Sequence, residues 1–223
     1  MSDGFSDLID RANAFFTELA KDNTKAFYEP RKEHYRDEIK KPAELFADLF
    51  AEDIARHTGK PHGPKLFRIH RDVRFSKDKT PYNTHLHLIW QQPSQAPTPA
   101  WFFGASPDYT TFVTGIPGLQ GDALTRFRAL IDKRGDALTD AIDHARDALG
   151  AEISEWGPSP LKRVPKPYDP DHPHGDLLKR KGLTIGAPLP EGWRDDGLLT
   201  TLNGMVPVML PIWQIFEEAF PAN

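Results

Sequence analysis

The run KLFRIHRDVRFSKDKTPY, residues 65–82, carries six cationic side chains against two anionic ones: Lys65, Arg68, Arg71, Arg74, Lys77 and Lys79 against Asp72 and Asp78. A guanidinium is planar and donates two parallel hydrogen bonds, so it matches phosphate and carboxylate better than other side chains. Arg68, Arg71 and Arg74 recur every third residue. A helical turn would gather them on one face, whereas a strand would alternate them. Ser76, Thr80 and Tyr82 add hydroxyl donors. Asp72 and Asp78 can orient the arginines, or one of them can act as a general base.

A second island, residues 161–181, holds Lys162, Arg163, Lys166, Lys179, Arg180 and Lys181 against Asp169, Asp171 and Asp176. Together the islands hold twelve Lys/Arg and five Asp, a net +7, while the rest of the chain holds 16 Lys/Arg and 27 Asp/Glu, a net −11. Two basic islands in an acidic chain predict one pocket for a small anion. In that reading Arg68, Arg71, Arg74, Ser76, Lys77, Lys79 and Tyr82 bind the ligand, with Arg163 and Lys166 closing the site from the second island. Asp72, Asp78 and His172 are the catalytic candidates. The competing reading is a salt-bridge lattice that braces a strand-to-loop junction, with no ligand at all.

Histidine offers a second chemistry. On a strand His85 and His87 share a face, and Asp169, Asp171, His172, His174 and Asp176 cluster in the Pro-rich stretch. Imidazoles and carboxylates bind zinc and similar ions, but the spacing matches no closed zinc motif, so no metal ligand is assigned. The chain also lacks G-x-x-x-x-G-K-[ST], a G-x-G-x-x-G that opens a helix, H-E-x-x-H and G-x-S-x-G. That argues against P-loop nucleotide hydrolysis and α/β-hydrolase chemistry. Trp90, Trp101, Phe102 and Phe103 can stack on a ligand ring, although aromatic residues on strands more often fill the core.

These groups must be positioned by a mixed fold. Phe5, Leu8, Ile9, Ala12, Phe16 and Leu19 recur at helical spacing, and residues 25–41 read as a polar helix. A further helix starts at Pro42, presents Leu45, Phe46, Leu49, Phe50 and Ile54, and stops at Gly59. Strands are expected around residues 66–73, 85–90, 101–103 and 109–113, antiparallel because their connections are too short for helical crossovers. Helix returns over residues 122–149. Residues 157–192 read as a Pro-rich ordered loop near the 65–82 motif, with one helical turn at Leu177-Leu178. Residues 198–220 read as an apolar helix kinked by its prolines. The expected fold is α+β: a central antiparallel sheet of three to five strands flanked by N-terminal, middle and C-terminal helices, in one domain.

The two motifs also carry a resemblance. RDVRFSKDKTPY at residues 71–82 resembles the hallmark R-D-x-R-F-S-K-D-K-x-P-Y of a widespread family of conserved hypothetical proteins of unknown function. LKRVPKPYDPDHPHGDLLKRKGL is similar to that family's second recurring stretch. The helices fit as well, so the resemblance covers nearly the whole chain, and Asn83 departs from it where a lysine is usual. The resemblance implies that the two motifs meet in space. It implies no activity, ligand or cofactor.

The 223 residues include 39% hydrophobic and 27% charged side chains, an ordinary globular mixture with a net charge of −4. There is no cysteine, which removes disulfides, thiolate metal sites and cysteine nucleophiles. The N-terminal stretch lacks a basic segment followed by an apolar one, so it does not read as a secretory signal. The apolar run from Met205 to Phe216, broken by prolines, reads as too short to span a bilayer. A cytoplasmic protein that takes a small anionic ligand is therefore expected, with no membrane partner. The acidic charge argues against broad nucleic-acid binding. Whether the chain is an enzyme, a non-catalytic interaction module or a carrier of a purely structural motif is left open, as are its cofactor and oligomeric state.

Overall fold

The computed structural model of the protein describes residues 4–222; the first three residues of the acidic N-terminal stretch, and Asn223, lie outside the described residues. Helix α1 (Ser6–Lys21) buries the apolar face expected of it. Residues 25–41 form no single polar helix. They make two one-turn helices, α2 (Lys25–Tyr28) and α3 (Lys32–Tyr35), with a 3-10 turn between them and a π-turn at Arg36–Lys40 leading into α4 (Lys41–Thr58). Pro30 lies in the 3-10 turn, where it lacks a backbone donor and interrupts regular α-helix. Helix α4 carries Pro42 in its first turn and ends on left-handed Gly59, as its sequence predicts.

The sheet has six antiparallel strands, more than expected: β1 (Gly63–Leu66), β2 (Leu86–Gln91), β3 (Ala100–Ser106), β4 (Tyr109–Ile116), β5 (Glu152–Ile153) and β6 (Leu183–Pro188). Their order across the sheet is β1-β2-β3-β4-β6-β5. The extra strands come from segments without alternation. In particular, β6 reads LTIGAP inside the stretch expected to be loop, yet it lies between β4 and β5. The same stretch contains α6 (Gly175–Leu178), the helical turn that was expected.

Register gives the sheet two unlike faces. Leu88, Phe103 and Phe112 stand in one row, and this face meets α4: Phe46 packs on Phe103, and Phe50 packs on Trp90 and Phe112. The indole N–H of Trp90 donates to the carbonyl of Ala47 at 2.8 Å. Trp90, Trp101 and Phe103 are therefore core. The opposite face carries His87, Gly104 and Thr111 in one row and Ile89, Phe102 and Val113 in the next.

Helix α5 (Gly121–Leu149) is kinked at Arg134, where the backbone leaves helical geometry. It packs on α8 (Leu198–Ala219), with Phe127 stacked on Phe216, and the short α7 (Trp193–Asp196) leads into α8. The C-terminal helix spans the residues its sequence predicts, but the whole of it, not only the run from Met205 to Phe216, counts as apolar. As a 22-residue helix, α8 is long and apolar enough to cross a membrane by length and composition, and half of it is buried against the rest of the chain. Its buried Leu202, Val206, Met209 and Phe216 belong to the one core that joins helices and sheet.

Candidate functional site

The 65–82 motif is a continuation of the β1–β2 hairpin. Beyond Leu66 the pairing goes on irregularly: Phe67 N–H donates to His87, Asn83 N–H to Ile69 and Arg71 N–H to Pro81. The hairpin base is clipped to the N-terminal helices by Asn23. Its amide donates to the Tyr82 carbonyl at 2.9 Å and accepts the Tyr82 N–H at 3.1 Å. Tyr82 is buried, with its ring 4.4 Å from that of Tyr28. It packs the hairpin onto the core and does not line the cleft described below.

At the hairpin tip the charges are spent on one another. Arg74 forms a two-point bond with Asp72, at 2.9 and 2.7 Å. Arg71 bonds the Asp78 carboxylate at 2.6 Å and both the carbonyl and the hydroxyl of Thr80. The Lys79 ammonium caps the Val73 carbonyl, and the Ser76 N–H bonds the same carbonyl. Lys77 is exposed, and Phe75 projects from the tip at 95% exposure. Neither aspartate suits a general base. The Arg74 guanidinium holds the Asp72 carboxyl below its usual range, and the Thr80 N–H together with Arg71 holds Asp78 down to about 2.

At the base the groups instead converge on open space. Phe67, Arg68, His70, Arg71, Asp72, Asn83, His85 and His87 line a cleft of about 290 Å³. Among the described residues the Arg68 guanidinium makes no hydrogen bond or ion pair. His85 and His87 stack with ring centres 3.8 Å apart. Burial lowers both histidines below their ordinary value, His87 to about 4, so both imidazoles are neutral at pH 7. His87 Nε2 meets the Tyr109 hydroxyl at 2.6 Å.

Next to this polar cleft lies an aromatic one of about 360 Å³, lined by Phe67, His87, Leu88, Phe102, Phe103, Trp156 and Gly157. Phe67 and His87 belong to both. The Trp156 ring lies 5.6 Å from that of His87 and 6.3 Å from that of Phe102. Sequence reasoning missed Phe67, Tyr109 and Trp156 as site residues. The available signal was the strand register, which places Phe67 and Phe102 on the face that carries His87.

The second island sits elsewhere. His172 Nε2 bonds Asp132 at 3.2 Å, and its Nδ1 accepts the His174 N–H at 3.0 Å, so neither ring nitrogen is free for catalysis. His174 bonds Asp136, and Lys179 pairs with Asp176. Arg163 and Lys166 are exposed. Among the described residues no hydrogen bond or ion pair joins residues 161–181 to the 65–82 motif. The nearest link is Trp156, which also borders a cavity of about 290 Å³ containing Arg180 and Lys181. Among the described residues no group of three or more His, Asp or Glu is placed to hold a metal ion, and His85 and His87 have no third such partner.

A sequence profile described as conserved hypothetical protein (DUF2461) matches residues 11–214. No curated protein and no solved structure matches the chain.

Proposed function

We propose, for a chain that belongs to this family of conserved hypothetical proteins, that the outer face of the sheet binds a small anion bearing a planar ring. The observation that carries this reading is the sharing of Phe67 and His87 by a cationic cleft and an aromatic one. The anionic group would lie against Arg68 and the exposed edge of Arg71, with neutral His85 and Asn83 as hydrogen-bond partners. The ring would lie against Phe67, Phe102 and Trp156, whose half-exposed faces are otherwise left to water. Phosphate and carboxylate both suit the arginines.

The same geometry supports a catalytic variant of this reading. The His87–Tyr109 pair stands at the junction of the clefts, where the phenol, rather than an imidazole whose proton affinity burial has lowered, can donate a hydrogen bond to charge developing on a bound ligand. On this reading Asp72, Asp78, Arg74, Lys77 and Lys79 serve the hairpin tip, and Ser76 joins its turn. Tyr82 serves the hairpin base. Arg163 and Lys166 are exposed outside both clefts, and His172 is bonded to Asp132 of α5.

Binding of phenyl phosphate and benzoate, followed by calorimetry, tests the proposal. Wild type should bind at least one of them more tightly than the corresponding ringless anion. Arg68→Ala and Trp156→Ala should each weaken that binding about tenfold, the weight of one charged hydrogen bond or one stacked ring. Equal binding by wild type and Trp156→Ala would remove the ring from the proposal, and equal binding by Arg68→Ala would remove the anion.

A further inference from the structure

A larger cavity, about 460 Å³, lies on the other side of the same hairpin strand, between residues 66–70 and the N-terminal helical segments. Two buried tyrosines open into it. Tyr28 and Tyr35 are only 3% and 5% exposed, and their rings are fixed by the core: Tyr28 against Tyr82, and Tyr35 against Phe15 at 5.3 Å. Both line the cavity, and among the described residues neither hydroxyl has a hydrogen-bond partner. The side chains are buried but their hydroxyls open into the cavity, so both are free to donate to an occupant that accepts hydrogen bonds.

The charges at the rim say which occupant. Arg36 is paired with Glu33 and Asp37, and Lys40 with Glu44. Lys32 and Arg68 also line the cavity; among the described residues neither makes an ion pair or a side-chain hydrogen bond, although the charge of Arg68 is felt by Asp72. Water would satisfy the tyrosines, whereas an anion would accept from them and also draw on both cations. Burial raises both phenols above their ordinary value, so at neutral pH they remain donors.

We infer that this cavity is a second oxyanion site, in which the hydroxyls of Tyr28 and Tyr35 and the cations of Lys32 and Arg68 hold a phosphate or carboxylate group. It needs no ring in the ligand, which separates it from the outer-face clefts, although Arg68 borders both. Four donors line one cavity, and an oxyanion of three or more oxygens has enough acceptors for all of them.

Inorganic phosphate and acetate, each titrated at constant ionic strength and followed by calorimetry, test the inference. Wild type should bind phosphate, and Tyr35→Phe, which keeps the ring and removes only the hydroxyl, should weaken binding about tenfold. Lys32→Ala should do the same from the surface, where no folding defect is expected. Trp156→Ala should leave phosphate affinity unchanged. Tighter acetate than phosphate binding, with the same sensitivity to Tyr35→Phe, would assign the site to carboxylates. Phosphate and acetate binding that is absent from wild type, or that is equal in wild type, Tyr35→Phe and Lys32→Ala, would overturn the inference. The outer-face proposal would survive either result if phenyl phosphate binding still depended on Trp156.

Discussion

The imidazole of His87 and the phenol of Tyr109 meet at 2.6 Å across a glycine. His87 lies on β2 and Tyr109 on β4, and the intervening β3 presents Gly104 directly opposite His87. A Cβ built on Gly104 would stand 3.1 Å from the Tyr109 ring and 3.2 Å from the His87 ring. Two side chains separated by a whole strand touch only because that strand has no side chain there. Gly104→Ala should therefore push the pair apart, at a cost of about 1–3 kcal/mol for an overpacked site. Urea unfolding measures the cost, and the ring resonances of His87 report the lost bond. An unchanged His87 environment would contradict the account.

Acid should weaken the fold before the carboxylates titrate. Burial holds His62, His85 and His87 below their ordinary value of 6.5, His87 at about 4. Between those limits the unfolded chain binds protons that the folded chain refuses, so stability rises with pH and is lost as pH falls from about 6.5 toward 4. The urea midpoint should decline across that window, and His87→Gln should decline less steeply. A His87 titration midpoint near 6.5 by NMR would show that the ring is not held neutral.

The hairpin tip should be mechanically important and thermodynamically cheap. Arg74 is 76% exposed and Asp72 41%, and Asp78 is 59% exposed opposite Arg71. Exposed pairs contribute at most about 1 kcal/mol, and no carboxylate at the tip is buried enough to be stranded. Arg74→Ala should thus shift stability by about 0.5 kcal/mol or less and leave anion binding at the hairpin base intact. Hydrogen exchange should nonetheless quicken at Ser76 and Thr80, whose N–H groups close the tip. A collapse of the melting temperature would mean that the tip braces far more than itself.

The long helices and strands β2, β3 and β4 are legible because their periodicity is local, whereas the helix expected over residues 25–41 is broken into turns and β1 lies before the segment expected to form it. Phe46 and Phe50 fall one turn apart, and His87, Ile89 and Gln91 alternate with Leu86, Leu88 and Trp90. The β6 strand was not legible, because LTIGAP is buried in the middle of a sheet and has no polar alternation to report. The cationic half of the site was visible as a run of arginines. Of its aromatic half only Phe102 is flagged by the sequence, since Phe67, Tyr109 and Trp156 come from three other segments that the fold alone brings to it. The second basic island misled for the same reason: composition can mark charge, but it cannot say which face of the sheet or which helix receives it.

Asn23 should matter more than an exposed loop residue normally does. Its side chain mimics a strand neighbour, accepting the Tyr82 N–H and donating to the Tyr82 carbonyl, and so ties the hairpin base to the end of α1. Asn23→Ala leaves both backbone groups of a buried residue unpaired, which should cost about 1–3 kcal/mol. Asn23→Asp retains the acceptor alone and should fall between wild type and alanine in chemical denaturation. Equal stability of all three proteins would mean that water replaces the clip.

Gly135 forms the joint between the Pro-rich stretch and α5. A Cβ on Gly135 would lie 2.1 Å from the His174 ring, well inside any permissible contact. Arg134, just before it, has φ −124° and ψ 16°, so α5 leaves helical geometry where the imidazole enters. His174 then reaches Asp136 at 2.9 Å and Thr139 at 3.4 Å, and the following α6 turn covers the helix with Leu177 and Leu178. Ordinarily Gly→Ala inside a helix stabilises by up to about 1 kcal/mol. Here the sign should reverse, because the ring has no flexible end to withdraw and must leave its seat. Gly135→Ala should lower the melting temperature by several degrees and expose residues 172–178 to proteolysis. Combining it with His174→Ala, which vacates the seat, should restore most of the loss. A stabilised Gly135→Ala protein would show that the ring does not occupy the notch.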